Sequence, residues 1–300
     1  MRVLSRIELN EVLFFDIETT SSVPELIPDT PLYDTWEYKV NKSGEMTQEQ
    51  ILESYKKEAA LYSEFGRIVC ISVGMFRKEG FKLKTFSNKN EKELIESFYS
   101  FLDKLPKDIY LCGHSAKIFD IPWIYQRSII NNVKPHTCVD TSGLKPWEIT
   151  WILDTKELFQ ASSFSRPSLL GIATAIGLPS PKDVISGKDV PKFYWKDVDK
   201  NTPIIAEYCE KDVYTTYKIF EHFKDLGKEK EIKKSLITRL FEGGSYGVSE
   251  KEELKTILRN LTTEERSKAY VILSAMCSNA KGKKTKIQKK DITELKKELK

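Results

Sequence analysis

Val12-Leu13-Phe14-Phe15-Asp16-Ile17-Glu18-Thr19 is the stretch on which the fold turns. Its first four residues are all apolar, and so short a run fits a central strand buried on both faces. The run stops at Asp16, so the strand is expected to end there. Asp16 and Glu18 are spaced i, i+2, which in extended backbone puts both carboxylates on one face. Neighbouring carboxylates repel unless a cation lies between them, and neither is followed closely by Arg or Lys. A hard divalent metal would satisfy both. A pair of solvated strand-end acids is the alternative.

Outward from this strand, residues 21–57 begin as a long polar, proline-rich loop, with a helix expected at 50–61 behind Thr47. Residues 68–76 (IVCISVGMF) are β-branched and apolar, and a turn at Glu79-Gly80 joins them to a hairpin partner at 81–86. Leu94, Ile95, Phe98, Phe101 and Leu102 have helical spacing within 91–105, and 109–112 is another short apolar strand. Asp120 opens a helix that runs to about residue 131. Residues 151–153 are a candidate strand, and 167–176 a compact helix stopped by Gly177. Thr202-Pro203 reads as an N-cap and N1 pair, with Gly227 closing the long helix between them. The early strands favour antiparallel pairing, and the strand after the crossover helix can lie parallel to the first. The expected class is therefore α/β, a mixed sheet with helices on its faces.

Composition narrows the options. The chain has 300 residues, 40% hydrophobic and 31% charged, which excludes wholesale disorder and collagen-like repeats. There is no apolar run of membrane-spanning length and no signal-peptide core near Met1, so a cytoplasmic location without a membrane partner is expected. Five cysteines with no CxxC pair fit a reducing compartment and argue against a zinc cluster. Charge is uneven. Residues 227–300 hold 19 Lys+Arg against 11 Asp+Glu, while the rest of the chain is slightly acidic. Helices are expected at 250–261 and 263–276, followed by a lysine-rich stretch at 281–286. The domain division is therefore 1–226 as a mildly acidic α/β body and 227–300 as a helical, Lys-rich extension. Such asymmetry points to a polyanion partner or to a solvated tail.

Three further residues complete a pattern. Asp120 follows a second strand, where alone it would be a helix cap. Tyr208 and Asp212 are i, i+4 on the long helix and share a face, beside the stripe Ile205, Cys209, Val213, Thr216 and Phe220. Asp16-Ile17-Glu18-Thr19 resembles the first motif of DEDD-type 3′–5′ exonucleases, whose fold is ribonuclease H-like. The segment from Gly113-His114-Ser115 to Phe119-Asp120 resembles the second motif, and Tyr208-Cys209-Glu210-Lys211-Asp212 the third, in its YxxxD form. The flanking Phe65-Gly66-Arg67 and Phe119-Asp120-Ile121-Pro122 runs are similar to those of predicted exonucleases related to the proofreading domain of family B DNA polymerases. The likeness covers roughly residues 12–223.

That resemblance implies a metal-dependent 3′–5′ exonuclease, preferring single-stranded DNA 3′ ends, with two divalent ions, Mg²⁺ or Mn²⁺, as cofactors. It implies that Asp16, Glu18, Asp120 and Asp212 are metal ligands and that Tyr208 orients the attacking water. Thr19, Ser115 and Phe119 would contact substrate. Ser115 stands where the family usually has Asn, and serine loses the amide's two-sided hydrogen bonding. The implied partners are nucleic acid and replication or repair proteins. RNA trimming on the same fold, and a catalytically idle nucleic-acid-binding replication module, are the rival readings.

Overall fold

The structure is a computed structural model that describes residues 4–78, 80–178, 186–242 and 297, with backbone alone from residue 227 onward in the last helix. The chain divides into two compact units, Met1–Lys224 and Asp225–Lys300. The helices expected at 250–276 and the lysine-rich stretch at 281–286 lie outside the described residues.

The first unit is built on five strands: β1 (Val12–Ser21), β2 (Gly66–Arg77), β3 (Gly80–Ser87), β4 (Tyr110–Gly113) and β5 (Ile152–Asp154), in the order β3-β2-β1-β4-β5. β1, β2 and β3 are antiparallel neighbours, whereas β4 pairs parallel to β1 and β5 parallel to β4. This is the expected α/β class, a mixed sheet flanked by helices. Helix α3 (Glu91–Leu102) carries the crossover from β3 to β4, and α4 (Asp120–Ile130) follows β4.

β1 does not end at Asp16. Pairing with β2 continues from Ile17↔Ile71 to Ser21↔Gly66, so the two acids sit in mid-strand. The reason is the period of two. Leu13, Phe15 and Ile17 join the core cluster that includes Leu94, Phe98 and Ile124 of α3 and α4. Val12 and Phe14 face the other way, into a cluster with Tyr217 and Phe220. Phe14 has no exposed surface, and its ring lies 5.4 Å from Phe220 and 5.6 Å from Tyr217. Truncating such a side chain costs about 3–5 kcal/mol. The face that carries Phe14 next carries Asp16 and Glu18.

Between β1 and β2 the expected long loop contains α1 (Pro31–Val40), with α2 (Gln48–Glu58) behind it. Thr30 caps α1 by accepting from the Tyr33 amide, and Pro31 occupies the first turn. Thr47 and Gln50 form the capping box of α2. Trp36 and Tyr55 anchor a separate small core here, with ring centroids 5.3 Å apart.

Short helices α5 (Thr155–Gln160), α6 (Leu169–Ala175) and α7 (Val190–Lys196) precede α8 (Val198–Glu242). The Thr202-Pro203 pair is not the start of α8. Asp197 precedes the helix and accepts from the Lys200 amide, while the Thr202 hydroxyl donates back to the Val198 carbonyl. Pro203 is therefore accommodated inside the early helix, and Gly227 does not end it. Gly74 admits α8 closely, since a Cβ there would meet Val213 at 2.9 Å.

Candidate active site

Helix α8 runs back along β1. Tyr217 and Phe220 cover Phe14, and Cys209, two turns earlier, donates its thiol to the Asp16 carbonyl at 3.4 Å and carboxylate at 3.3 Å. The helix period then carries Asp212 to the same place. Ligand atoms of Asp16, Glu18 and Asp212 lie within 4.8 Å of one another. The sheet is irregular beside them: the β1–β2 register shifts between Glu18 and Thr19, where β2 has the extra residue Val69. Such a bulge re-aims side chains next to functional sites.

Asp120 stands beside the three rather than within that group. It is 3% exposed at the start of α4, and its carboxylate accepts the Ile17 amide at 3.2 Å. That bond ties the second motif to the middle of the first. Tyr208, half-buried on α8, hydrogen-bonds Asp212.

The electrostatics follow from crowding. Burial first, then Asp120, Glu18 and Asp212, push the Asp16 carboxyl well above the ordinary range, against a smaller opposing bond from Cys209. Burial, then Cys70, Asp212 and Asp120, do the same to Glu18. Asp120 is pushed up to about 7, by burial first and then by Asp154, against bonds from its own and the Ile17 amides. Burial, then the Asp212, Glu18 and Asp16 charges, raise Tyr208 far above a usual phenol, so its hydroxyl keeps its proton. Among the described residues Asp16, Glu18 and Asp120 make no ion pair. Asp16, Glu18 and Asp212, with ligand atoms so close together, form a candidate donor set for a hard divalent cation, with Asp120 beside them.

Residues 59–242 match the family described as a predicted 3′–5′ exonuclease related to the exonuclease domain of PolB. The chain belongs to that family. Among solved structures, the exonuclease-family chain is similar to the family B DNA polymerase from the hyperthermophilic archaeon Pyrobaculum calidifontis, with 18% identity and a TM-score of 0.44 over 70% of this chain. It spans 24% of the polymerase chain. No curated protein matches. No helix among the described residues is long and apolar enough to cross a membrane.

The three residues assigned to substrate contact fall in different surroundings. Thr19 is buried and its hydroxyl donates to the Ala60 carbonyl at 2.8 Å, so that group is committed to the fold. Phe119 is half-buried and packs 5.7 Å from the Trp123 ring, which belongs to the core. Ser115 follows β4 with a φ of 64°. That left-handed backbone is one that Asn adopts more readily than Ser. The turn is tight, since a Cβ on Gly113 would meet Ala116 Cβ at 2.6 Å.

Asp154 was missed. It is 4% exposed at the end of β5, and its carboxylate accepts the amides of Ser115, Lys117, Lys156 and Glu157. It thus caps α5 and clamps the second-motif turn at once. The signal was present as Asp154-x-x-Glu157, an N-terminal helix signature. His114, lowered by burial, bonds the Thr155 hydroxyl and the Pro167 carbonyl and helps hold the same turn.

Proposed function

We propose that this chain is a metal-dependent 3′–5′ exonuclease that hydrolyses phosphodiester bonds from single-stranded DNA 3′ ends. The observation that carries this reading is the convergence of Asp16, Glu18 and Asp212 within 4.8 Å, with Asp120 and Tyr208 beside them. Asp16, Glu18 and Asp212 would hold one divalent ion, and Asp16 with Asp120 a second, Mg²⁺ or Mn²⁺ by the all-oxygen donor set. Bound there, the ions would neutralise the carboxylates, activate the attacking water and offset charge on the departing 3′-oxygen.

The chain's own groups do the rest. Strand pairing fixes the backbone at Asp16 and Glu18, so both carboxylates start from the same face of β1. The Tyr208 hydroxyl retains its proton and cannot act as a base at neutral pH. It orients the water as a hydrogen-bonding group. The lysine-rich residues 281–290 would add affinity for the strand without choosing sequence.

The test is release of labelled mononucleotides from matched DNA and RNA oligonucleotides carrying a 3′-terminal label, with Mg²⁺ or Mn²⁺ and with chelator. Metal-dependent release from the DNA 3′ end, abolished by chelator, is expected. Faster cleavage of RNA would move the reading to RNA trimming. Nucleic-acid binding without cleavage under any divalent ion would leave an idle binding module.

A further inference from the structure

Six lysines are buried or half-buried among the described residues: Lys39, Lys117, Lys156, Lys211, Lys218 and Lys224. Five of them pair with a carboxylate, on Glu64, Glu157, Glu207, Glu221 and Glu8 respectively. Lys156 does not. Its ammonium makes a single hydrogen bond among the described residues, to the Ser115 hydroxyl at 3.1 Å. Among the described residues Lys156 is thus the one half-buried lysine whose ammonium is not taken up by a carboxylate.

Its position gives that ammonium a use. Phe14 of β1 pairs with Cys112 of β4, and Gly113 of β4 pairs with Asp154 of β5. Lys156 and Ser115 therefore lie just past the C-terminal ends of the parallel strands, where open α/β sheets bind ligands. Two strand spacings, about 10 Å, separate β5 from β1 and its carboxylates. Asp154 links the places electrostatically, since its charge acts on Asp120.

The donor inventory selects the ligand. Lys156 donates into the Ser115 oxygen, which leaves the serine proton and two ammonium protons to point elsewhere. The pair offers donors and positive charge and no strong acceptor. An asparagine in place of Ser115 would present both a donor and an acceptor, as suits a base or sugar edge. A donor-only cationic pair suits an anionic oxygen.

We propose that Lys156 and Ser115 form a phosphate-binding site that holds a backbone phosphate of the substrate strand beside the carboxylate cluster. This rests on the nuclease reading above and deepens it. Lys156 binds and positions, and takes no part in bond breaking. The Asp154 carboxylate, which holds the Ser115, Lys117 and Lys156 amides, is the scaffold that keeps the two donors together.

The experiment uses the full chain as wild type, Lys156→Met and Lys156→Arg. Binding of a single-stranded oligothymidylate is measured against log salt in chelator, and kcat and KM are measured with Mg²⁺. Lys156→Met should weaken binding about tenfold, the scale of one charge-assisted hydrogen bond. It should also flatten the salt slope by about 0.7, the value of one phosphate contact on a single strand. The loss in kcat/KM should fall mainly on KM, and Lys156→Arg should restore most of it. Coincident salt slopes for wild type and Lys156→Met overturn the proposal, as does a loss of affinity that Lys156→Arg fails to rescue. Wild-type cleavage with coincident slopes sinks this site alone. A wild type that neither binds nor cleaves sinks the nuclease reading with it.

Discussion

Glu91 at the start of α3 and the Asp16–Glu18 pair on β1 are acids placed against the same sheet and treated in opposite ways. Glu91, 6% exposed, opens α3 and meets Arg127 through both oxygens: Arg127 Nε donates to Oε1 at 2.9 Å and Nη2 to Oε2. The Ile68 amide donates to Oε1 at 2.6 Å and the Asn131 amide to Oε2 at 3.0 Å. Every lone pair that matters has a donor. Glu18, 8% exposed, and Asp16 have carboxylates, cysteine thiols and a phenol around them instead. Burial alone therefore does not mark a functional acid. Burial among like charges does, because the fold holds an arrangement that is unfavourable until a cation arrives.

The comparison breaks most sharply under charge-neutral substitution. Asp16→Asn or Asp212→Asn should lower nuclease turnover at least about a hundredfold, since each removes a charge needed to hold the ions. The metal-free protein should melt no lower than wild type, because repulsion is relieved. A mutant that keeps more than a few per cent of activity in the mononucleotide-release assay would dismantle the ligand assignment. Arg127→Ala is the counterpart. It should destabilise by about 3–5 kcal/mol in denaturant titration, by leaving Glu91 buried and unpaired. Activity should fall only as the folded fraction falls. A neutral effect would show that Glu91 is not committed to structure.

Tyr208→Phe should slow cleavage by roughly 10- to 1,000-fold, the range of positioning and proton-transfer effects, with metal affinity kept. Isothermal titration of Mn²⁺ checks the second half, and collapsed affinity would place the hydroxyl nearer the ions.

A gentler contrast comes from pH. Asp120 titrates at about 7 in the folded protein against an ordinary 3.8, so the folded state holds a proton that the unfolded chain has released. Its stabilising contribution is complete at low pH and is lost as pH rises through about 7. In chelator, stability should fall with pH across that window by at most about 1.4 kcal/mol per unit from this group. Asp120→Asn keeps an acceptor for the Ile17 amide and should flatten the slope in pH-resolved melts. An unchanged slope would remove Asp120 from the coupled cluster.

The smallest effect is expected from the lysine-rich segment. Truncation after Met276 should raise KM and reduce the salt dependence of oligonucleotide binding while turnover at saturation persists. Identical salt slopes would separate those lysines from phosphate contact.

Much of this was legible in one dimension because it depends on period and order. Alternation put Asp16 and Glu18 on one face of β1, and i, i+4 spacing put Tyr208 with Asp212 on α8. Crossover logic made β4 parallel to β1. Local chemistry was less decisive. Thr30-Pro31 and Thr202-Pro203 look alike, yet the first pair starts α1 while the second lies inside α8. Asp197 captured the helix start, and a dipeptide carries no information about that competitor. The end of β1 was misplaced for a related reason. Asp16 breaks an apolar run, but strand pairing follows the partner's backbone and tolerates the acids because they share one covered face.

What the sequence by itself determined is the order of the five strands, the face each acid occupies and the family pattern, since these follow from backbone period and side-chain type. Tertiary structure alone decided which acids carry a compensating partner. It brought Cys209 to Asp16 across 193 positions, the Ile17 amide to Asp120 across 103 and Lys156 to Ser115 across 41. Electrostatic energy depends on distance and burial, and neither is set by separation along the chain.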